Sequence, residues 1–274
     1  MLTEIEAAIP PMIAELDYVG PSDISSEMER AIQAICALES GAGPGSGAIT
    51  SFLFRIEAIA SSKIESVEAS SEDFARALAG SKANESAALM VAASRAVTRM
   101  IDRACATGRI TLEAILTAHK DLLADEPDDG PYSGDLRSVQ NWIGASDHSP
   151  LRATFVPPTP QRVPELMDDL IRFMNRDDLP AIAQATIAHA QFESIHPFTD
   201  GNGCVGRALI GAIIRRRGTV SFAPWRWQLE SRAKSHWYRW RTSATFRSIG
   251  SSDSDREGEA PPGPFWISSS ITPS

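Results

Sequence analysis

Cysteine is scarce in this chain: Cys36, Cys105 and Cys204 are three in 274 residues, odd in number and widely spaced. That suits a reducing cytosol better than a disulfide framework, so a cytoplasmic location is expected. No run of about 18 apolar residues occurs and no charged-then-apolar leader opens the sequence, so neither a membrane span nor secretion is expected. Positive charge is also in deficit. The 26 Lys and Arg stand against 35 Asp and Glu, and the net charge of −9 disfavours nucleic acid and anionic membranes as partners. No internal repeat is evident. The hydrophobic share, 43% of the chain, is enough to build the core of one large domain or two small ones.

Apolar periodicity predicts a mostly helical fold. A short amphipathic start over residues 4–16 is interrupted by Pro10 and Pro11, and residues 25–38 place Met28, Ile32, Ile35 and Leu38 on one face. GAGPGSGA at residues 41–48 is a flexible break. Helices are expected at residues 51–64, 71–78, 85–107 and 111–123, the last capped by Thr111, and again at 161–175 and 182–195. DEPDDGPYSG at residues 125–134 is an acidic turn cluster, and ATFVPPTP at residues 153–160 reads as a short extended stretch, since its prolines forbid a central sheet position. Past Val220 the periodicity fades, while five of the six tryptophans gather among Arg, Ser, Gly and Pro. Residues 219–274 read either as a disordered tail, whose composition cannot bury a core, or as a shifted reading frame.

Residues 196–207, HPFTDGNGCVGR, carry the chemistry. Pro197 stops the preceding helix and biases His196 away from the α region, so an imidazole is expected where a helix ends and a loop begins. Gly201 and Gly203 bracket Asn202 in a turn able to converge backbone amides on an anion. A further helix follows, with Val205, Leu209, Ile213 and Ile214 on one side, and its N-terminal amides and dipole favour a bound phosphate. Arg207 lies in its first turns, within reach of the same anion. Taken singly, each residue has an ordinary structural reading: a satisfied histidine, an N-cap, a turn residue, a solvated cation. Their coincidence in twelve residues is harder to explain that way.

Rival chemistries fare worse. GNGCVGR lacks the lysine of a Walker phosphate loop, and the Glu193, His196 pair has no second E-x-x-H partner for a di-metal bundle. Cys204 as a nucleophile would have only His196 as base, and a cysteine opening an apolar helix is usually a small packing residue.

HPFTDGNGCVGR resembles the signature of the Fic family, HxFx[DE]GNGRxxR. YSGDLRSVQNWIG and ATFVPPTPQRVPELMDDLI resemble the segments that precede it, and SSKIES at residues 61–66 resembles the inhibitory helix motif [ST]xxxE[GN]. The resemblance covers about residues 13–218. It implies an all-α, Fic-type helical bundle with a short β-hairpin flap, divided into an N-terminal helical region (1–108), a Fic core (109–218) and the irregular segment 219–274. It also implies transfer of AMP from ATP to a Ser, Thr or Tyr hydroxyl of a target protein or of the chain itself. His196 would be the general base, and Asp200 would help hold Mg²⁺. Gly201, Asn202, Gly203, Cys204, Val205, Gly206 and Arg207 would form the nucleotide site, with Arg207 on the γ-phosphate. Phe198 would anchor the loop. Thr154, Phe155 and Val156 would align an extended piece of target by strand addition. Glu65 would pair with Arg207 and inhibit. A homodimer is an open expectation.

Three departures qualify that reading. Cys204 stands where the family usually has Arg, removing a cation and several donors. Ser66 stands where Gly or Asn is usual, and no segment after residue 218 matches the helices that complete the family's nucleotide site. An alternative is therefore a catalytically silent module that binds a partner or nucleotide without turnover.

Overall fold

The computed structural model describes residues 6–41, 69–81, 83–124, 132–144 and 149–218. Within them are seven α-helices: α1 (Ser22–Gly41), α2 (Ser71–Leu78), α3 (Glu85–Thr107), α4 (Leu112–Leu122), α5 (Val163–Met174, after a 3-10 turn at Pro160–Arg162), α6 (Ala181–Ile195) and α7 (Asn202–Arg216). No strand forms among the described residues. Ile143 and Phe155 pair only through an isolated antiparallel bridge, so the expected hairpin flap is not seen as a hairpin. The all-helical class holds. Among the described residues no helix is long and apolar enough to cross a membrane.

Local chemistry explains where the helices begin. Asn84 accepts from the Ala87 amide at 2.9 Å to open α3, and Thr111 accepts from Ala114 at 3.2 Å to open α4, as its position before an apolar run predicts. Gly108, left-handed at φ 66°, closes α3. The amphipathic α5 buries Val163, Leu166, Leu170 and Phe173 completely, each adding roughly 1.5–3 kcal/mol of hydrophobic stabilisation. By contrast α6 buries consecutive residues, Ala183 to Ala185 and Gln191 to Glu193, so most of its circumference is covered, with Thr186 left exposed. α7 packs against both α3 and α6, α4 against α3, and α5 against α6. Buried residues on both sides of residue 108 share one core, which joins Ala93, Met100 and Ile101 of α3 to Leu166, Phe192 and Leu209.

Residues 6–20 overturn one expectation, since they are not helical. Pro10 and Pro11 remove amide donors, and the amides that follow are taken up elsewhere. Ile13 and Ala14 donate to the buried carboxylate of Asp169 on α5, at 2.5 and 3.1 Å. Arg176 donates to the Ala14 and Leu16 carbonyls, and Gln191 to that of Pro11. The segment is a strap whose Ile13 plugs into the core. The expected helix at residues 51–64, the motif at 61–66 with Glu65, and residues 219–274 lie outside the described residues.

Candidate active site

His196 is the C-cap of α6 and adopts φ 50°, ψ 63°. A residue before proline is expected to be extended, yet here the left-handed conformation prevails because it lets the His196 amide close the helix on the Phe192 carbonyl at 2.8 Å. For a residue with a Cβ that conformation costs about 1–2 kcal/mol, so the surroundings must hold it. The imidazole is 17% exposed, and its Nδ1 lies 3.9 Å from Glu193 Oε2, one turn back on α6.

The loop after it is stapled from within. Phe198 is fully buried, as expected of an anchor. Its ring stacks on that of His119 at 3.8 Å and 6°, and tilts against Phe192. The side chain of Asn202 is turned inward: Oδ1 accepts from the Phe198 amide and Nδ2 donates to the Phe198 carbonyl, both at 2.9 Å. Asn202 therefore shapes the loop with its side chain and has only its backbone amide to offer an anion. Gly201 is left-handed at φ 73°, and a Cβ there would lie 2.9 Å from Leu122 Cδ2 and 3.4 Å from His119 Cδ2. Gly203, expected in the same turn, is already helical.

His119 and Arg137 are the residues that sequence reasoning missed. The Gly134 amide donates to His119 Nδ1 at 2.9 Å, which puts the ring proton on Nε2, and Nε2 donates to the Asp200 carbonyl at 3.1 Å. Burial holds this imidazole below its ordinary pKa, opposed by the Asp200 carbonyl and the nearby carboxylates, so it is a neutral link between two loops. The available signal was a lone histidine in line with Ile115 and Leu122 on the buried face of α4. Arg137 is 4% exposed and donates to main-chain carbonyls that include His196, and burial lowers its guanidinium to about 10.

At the mouth of α7, Asp200 is exposed while Gly201, Gly203, Cys204 and Arg207 are half-buried. Arg207 Nη2 lies 3.7 Å from Cys204 Sγ. Val205 and Gly206 face inward instead. Val205 is core, and a Cβ on Gly206 would meet Glu193 Oε1 at 2.6 Å and His189 Nδ1 and Phe192 Cδ1 at 3.1 Å. His189, on the α6 face beside Arg207, is lowered to about 4, first by burial and then by the Arg207 charge, against a smaller pull from the Gly206 backbone. Thr154, Phe155 and Val156 lie across from residue 143: the Ile143 amide donates to the Phe155 carbonyl and the Thr154 amide to the Ile143 carbonyl, each at 2.8 Å. The strap reaches them too, with the Ala8 amide donating to the Val156 carbonyl at 2.8 Å. A cationic side chain, an exposed carboxylate and helix N-terminal amides thus follow the imidazole within twelve residues, the residue types that suit a polyphosphate beside a hydroxyl.

An all-helical core in which a helix ending on His196 is joined by a short turn to a helix opening at Asn202 is a Fic-type fold. A solved Fic family protein from Desulfovibrio desulfuricans G20 has the same fold, with a TM-score of 0.62 and 24% identity over 81% of this chain and 66% of that one. Residues 109–214 match the Fic/DOC family, and the chain carries a Fic/DOC family domain there. Protein adenylyltransferase fic-1 of Caenorhabditis elegans is 31% identical over 128 residues, 46% of this chain and 22% of that protein. A probable protein adenylyltransferase of Aquifex aeolicus is 39% identical over 87 residues, 31% of this chain and 27% of that protein. This chain spans about a quarter of the length of these two relatives.

Proposed function

We propose that this protein transfers AMP from ATP to a hydroxyl of a target protein or of its own chain, in the cytoplasm. What supports the reading is the His196 imidazole at the C-terminal end of α6, separated only by the turn 197–201 from the amide end of α7, with Asp200 just before that end and Arg207 just after it. The hydroxyl oxygen attacks the α-phosphorus, the bond from that phosphorus to the pyrophosphate oxygen breaks, and the hydroxyl proton passes to His196. Nδ1 faces Glu193, and the proton is taken on Nε2. The α7 amides and Arg207 stabilise the charge that gathers on the departing pyrophosphate.

Mg²⁺ fits this mouth. The ion keeps several waters and takes one or two carboxylates together with phosphate oxygens, and Asp200 is an exposed carboxylate in that position. Among the described residues no group of three or more His, Cys, Asp or Glu makes an all-protein cage. When bound, the ion would neutralise phosphate charge. Glu65, outside the described residues, is assigned to compete with the γ-phosphate for Arg207.

Incubation with α-labelled ATP tests the reading: label is deposited by the wild-type chain, more by Glu65→Gly, and none by His196→Ala. A silent binding module is the second reading, favoured by Cys204, whose thiol lies beside Arg207 where the family has a second cation. ATP binding without label in any variant decides for it. Label carried by γ- but not α-labelled ATP identifies phosphoryl transfer instead.

A further inference from the structure

The guanidinium of Arg137 is enclosed by backbone carbonyls. Nε donates to the His196 carbonyl at 2.8 Å, Nη1 to Val139 at 3.1 Å, and Nη2 to Pro158 at 2.5 Å and Ile195 at 3.4 Å. The Arg137 amide adds a bond to the Pro197 carbonyl at 2.9 Å. These partners belong to separate pieces of the site. Ile195 and His196 are the C-terminal end of α6, where the helix dipole is negative and a cation is favoured. Pro158 lies two residues after the segment Thr154, Phe155, Val156, and Gln140 donates to the intervening Pro157 carbonyl at 2.9 Å. A planar fork with five fixed N–H donors spans such divergent acceptors, and the flexible ammonium of lysine does not.

We propose that Arg137 is a positioning residue: its guanidinium ties the carbonyl of His196 to the carbonyl of Pro158, so that the base and the flap form one rigid unit. This rests on the AMP-transfer reading, in which the flap presents the hydroxyl. Two features set Arg137 apart from an ordinary buried staple. Its acceptors include the residue held in the left-handed conformation, so it acts on the backbone that aims the imidazole. It also spans 59 residues to reach His196 and 21 to reach Pro158, linking the two surfaces between which the hydroxyl and the phosphorus must meet.

The test compares wild type with Arg137→Lys and Arg137→Gln in full-length protein. AMP transfer is followed with α-labelled ATP and the His196→Ala chain as acceptor, ATP affinity by calorimetry, and folding by thermal melting. The His196 ring is observed by ¹H–¹⁵N correlation, assigned with His196→Asn. The expected result is a fall in kcat of roughly 10- to 100-fold in both variants, since small misplacements of a base cost that much. ATP affinity stays at the wild-type value, and the His196 ring resonances move well below the melting temperature. Wild-type kcat with unmoved resonances in folded variants overturns the proposal, and so does loss of fold in both, which would make Arg137 a structural staple. If wild type itself transfers no label, the AMP-transfer reading fails and the His196 spectrum alone decides the role of Arg137.

Discussion

Gly206 sets how closely α6 and α7 approach. Its missing Cβ leaves room for Glu193, His189 and Phe192 of the facing helix, the nearest at 2.6 Å. Gly206→Ala gains helix propensity of up to about 1 kcal/mol but overpacks the interface by about 1–3 kcal/mol. The crowding wins because Phe192 is fully buried and cannot move aside. A net loss of up to about 2 kcal/mol, read as a lower denaturation midpoint, is the expected outcome. An unchanged midpoint would mean that the α6 side chains repack freely. Cys204 poses the opposite question, of a group missing rather than crowded. Its thiol is half-buried in the first turn of α7 beside Arg207, where a second guanidinium would add charge-assisted bonds to a phosphate chain. One such contact is worth about 1.5–3 kcal/mol. Calorimetry should therefore find that Cys204→Arg tightens ATP binding by roughly 10- to 100-fold. Equal affinity in the two chains would show that the lost cation is not what limits binding.

At the scale of elements, the strap of residues 6–20 and the loop of residues 132–144 do what no helix does: they tie the ends of the site to the core. Asp169, 2% exposed, receives the Ile13 and Ala14 amides, and Arg172 lies 3.7 Å from it. Asp169→Ala leaves those amides unpaired and costs about 1.5–3 kcal/mol. Because the Ala8 amide bonds the Val156 carbonyl, the loosened strap also releases the flap. Faster hydrogen exchange at residues 8–16 together with residues 154–156 is expected. Acceleration in the strap alone would separate the two. This layer is also the one least legible in the sequence. The 3.6-residue pattern located α3, α5 and α6 within a residue or two, because a helix is a contract among near neighbours. The same pattern misread the strap, whose partners lie about 155 residues away in α5. The HPFTDGNGCVGR turn was legible because its donors and acceptors are local, as in the Asn202 to Phe198 staple. His119 and Arg137 were not, since their partners Asp200 and His196 are 81 and 59 residues distant, and a lone histidine or arginine carries no mark of where it will bond.

At the scale of the whole molecule, one buried and one half-buried imidazole make the fold sensitive to acid. His119 is held below its ordinary pKa by burial, and His189 is held at about 4 by burial and the Arg207 charge, against 6.5 when unfolded. Below pH 6.5 the unfolded chain binds protons that the folded chain refuses. Stability is therefore fully present above 6.5 and falls as the pH drops toward the folded values. At about 1.4 kcal/mol per pH unit, His189 alone removes roughly 2 kcal/mol between pH 6.5 and pH 5. That is a large share of a typical domain's stability of about 5–15 kcal/mol, so the denaturant midpoint should fall steeply over this interval. His189→Gln cannot be protonated and should flatten the curve, leaving the slope contributed by His119 and the carboxylates. The substitution sits beside Arg207, so ATP binding in the variant is measured alongside to separate a local effect on the phosphate site from the global one. A variant whose midpoint falls with pH as steeply as wild type would show that His189 takes its proton in the folded state, and that the space between α6 and α7 admits the water needed to solvate it.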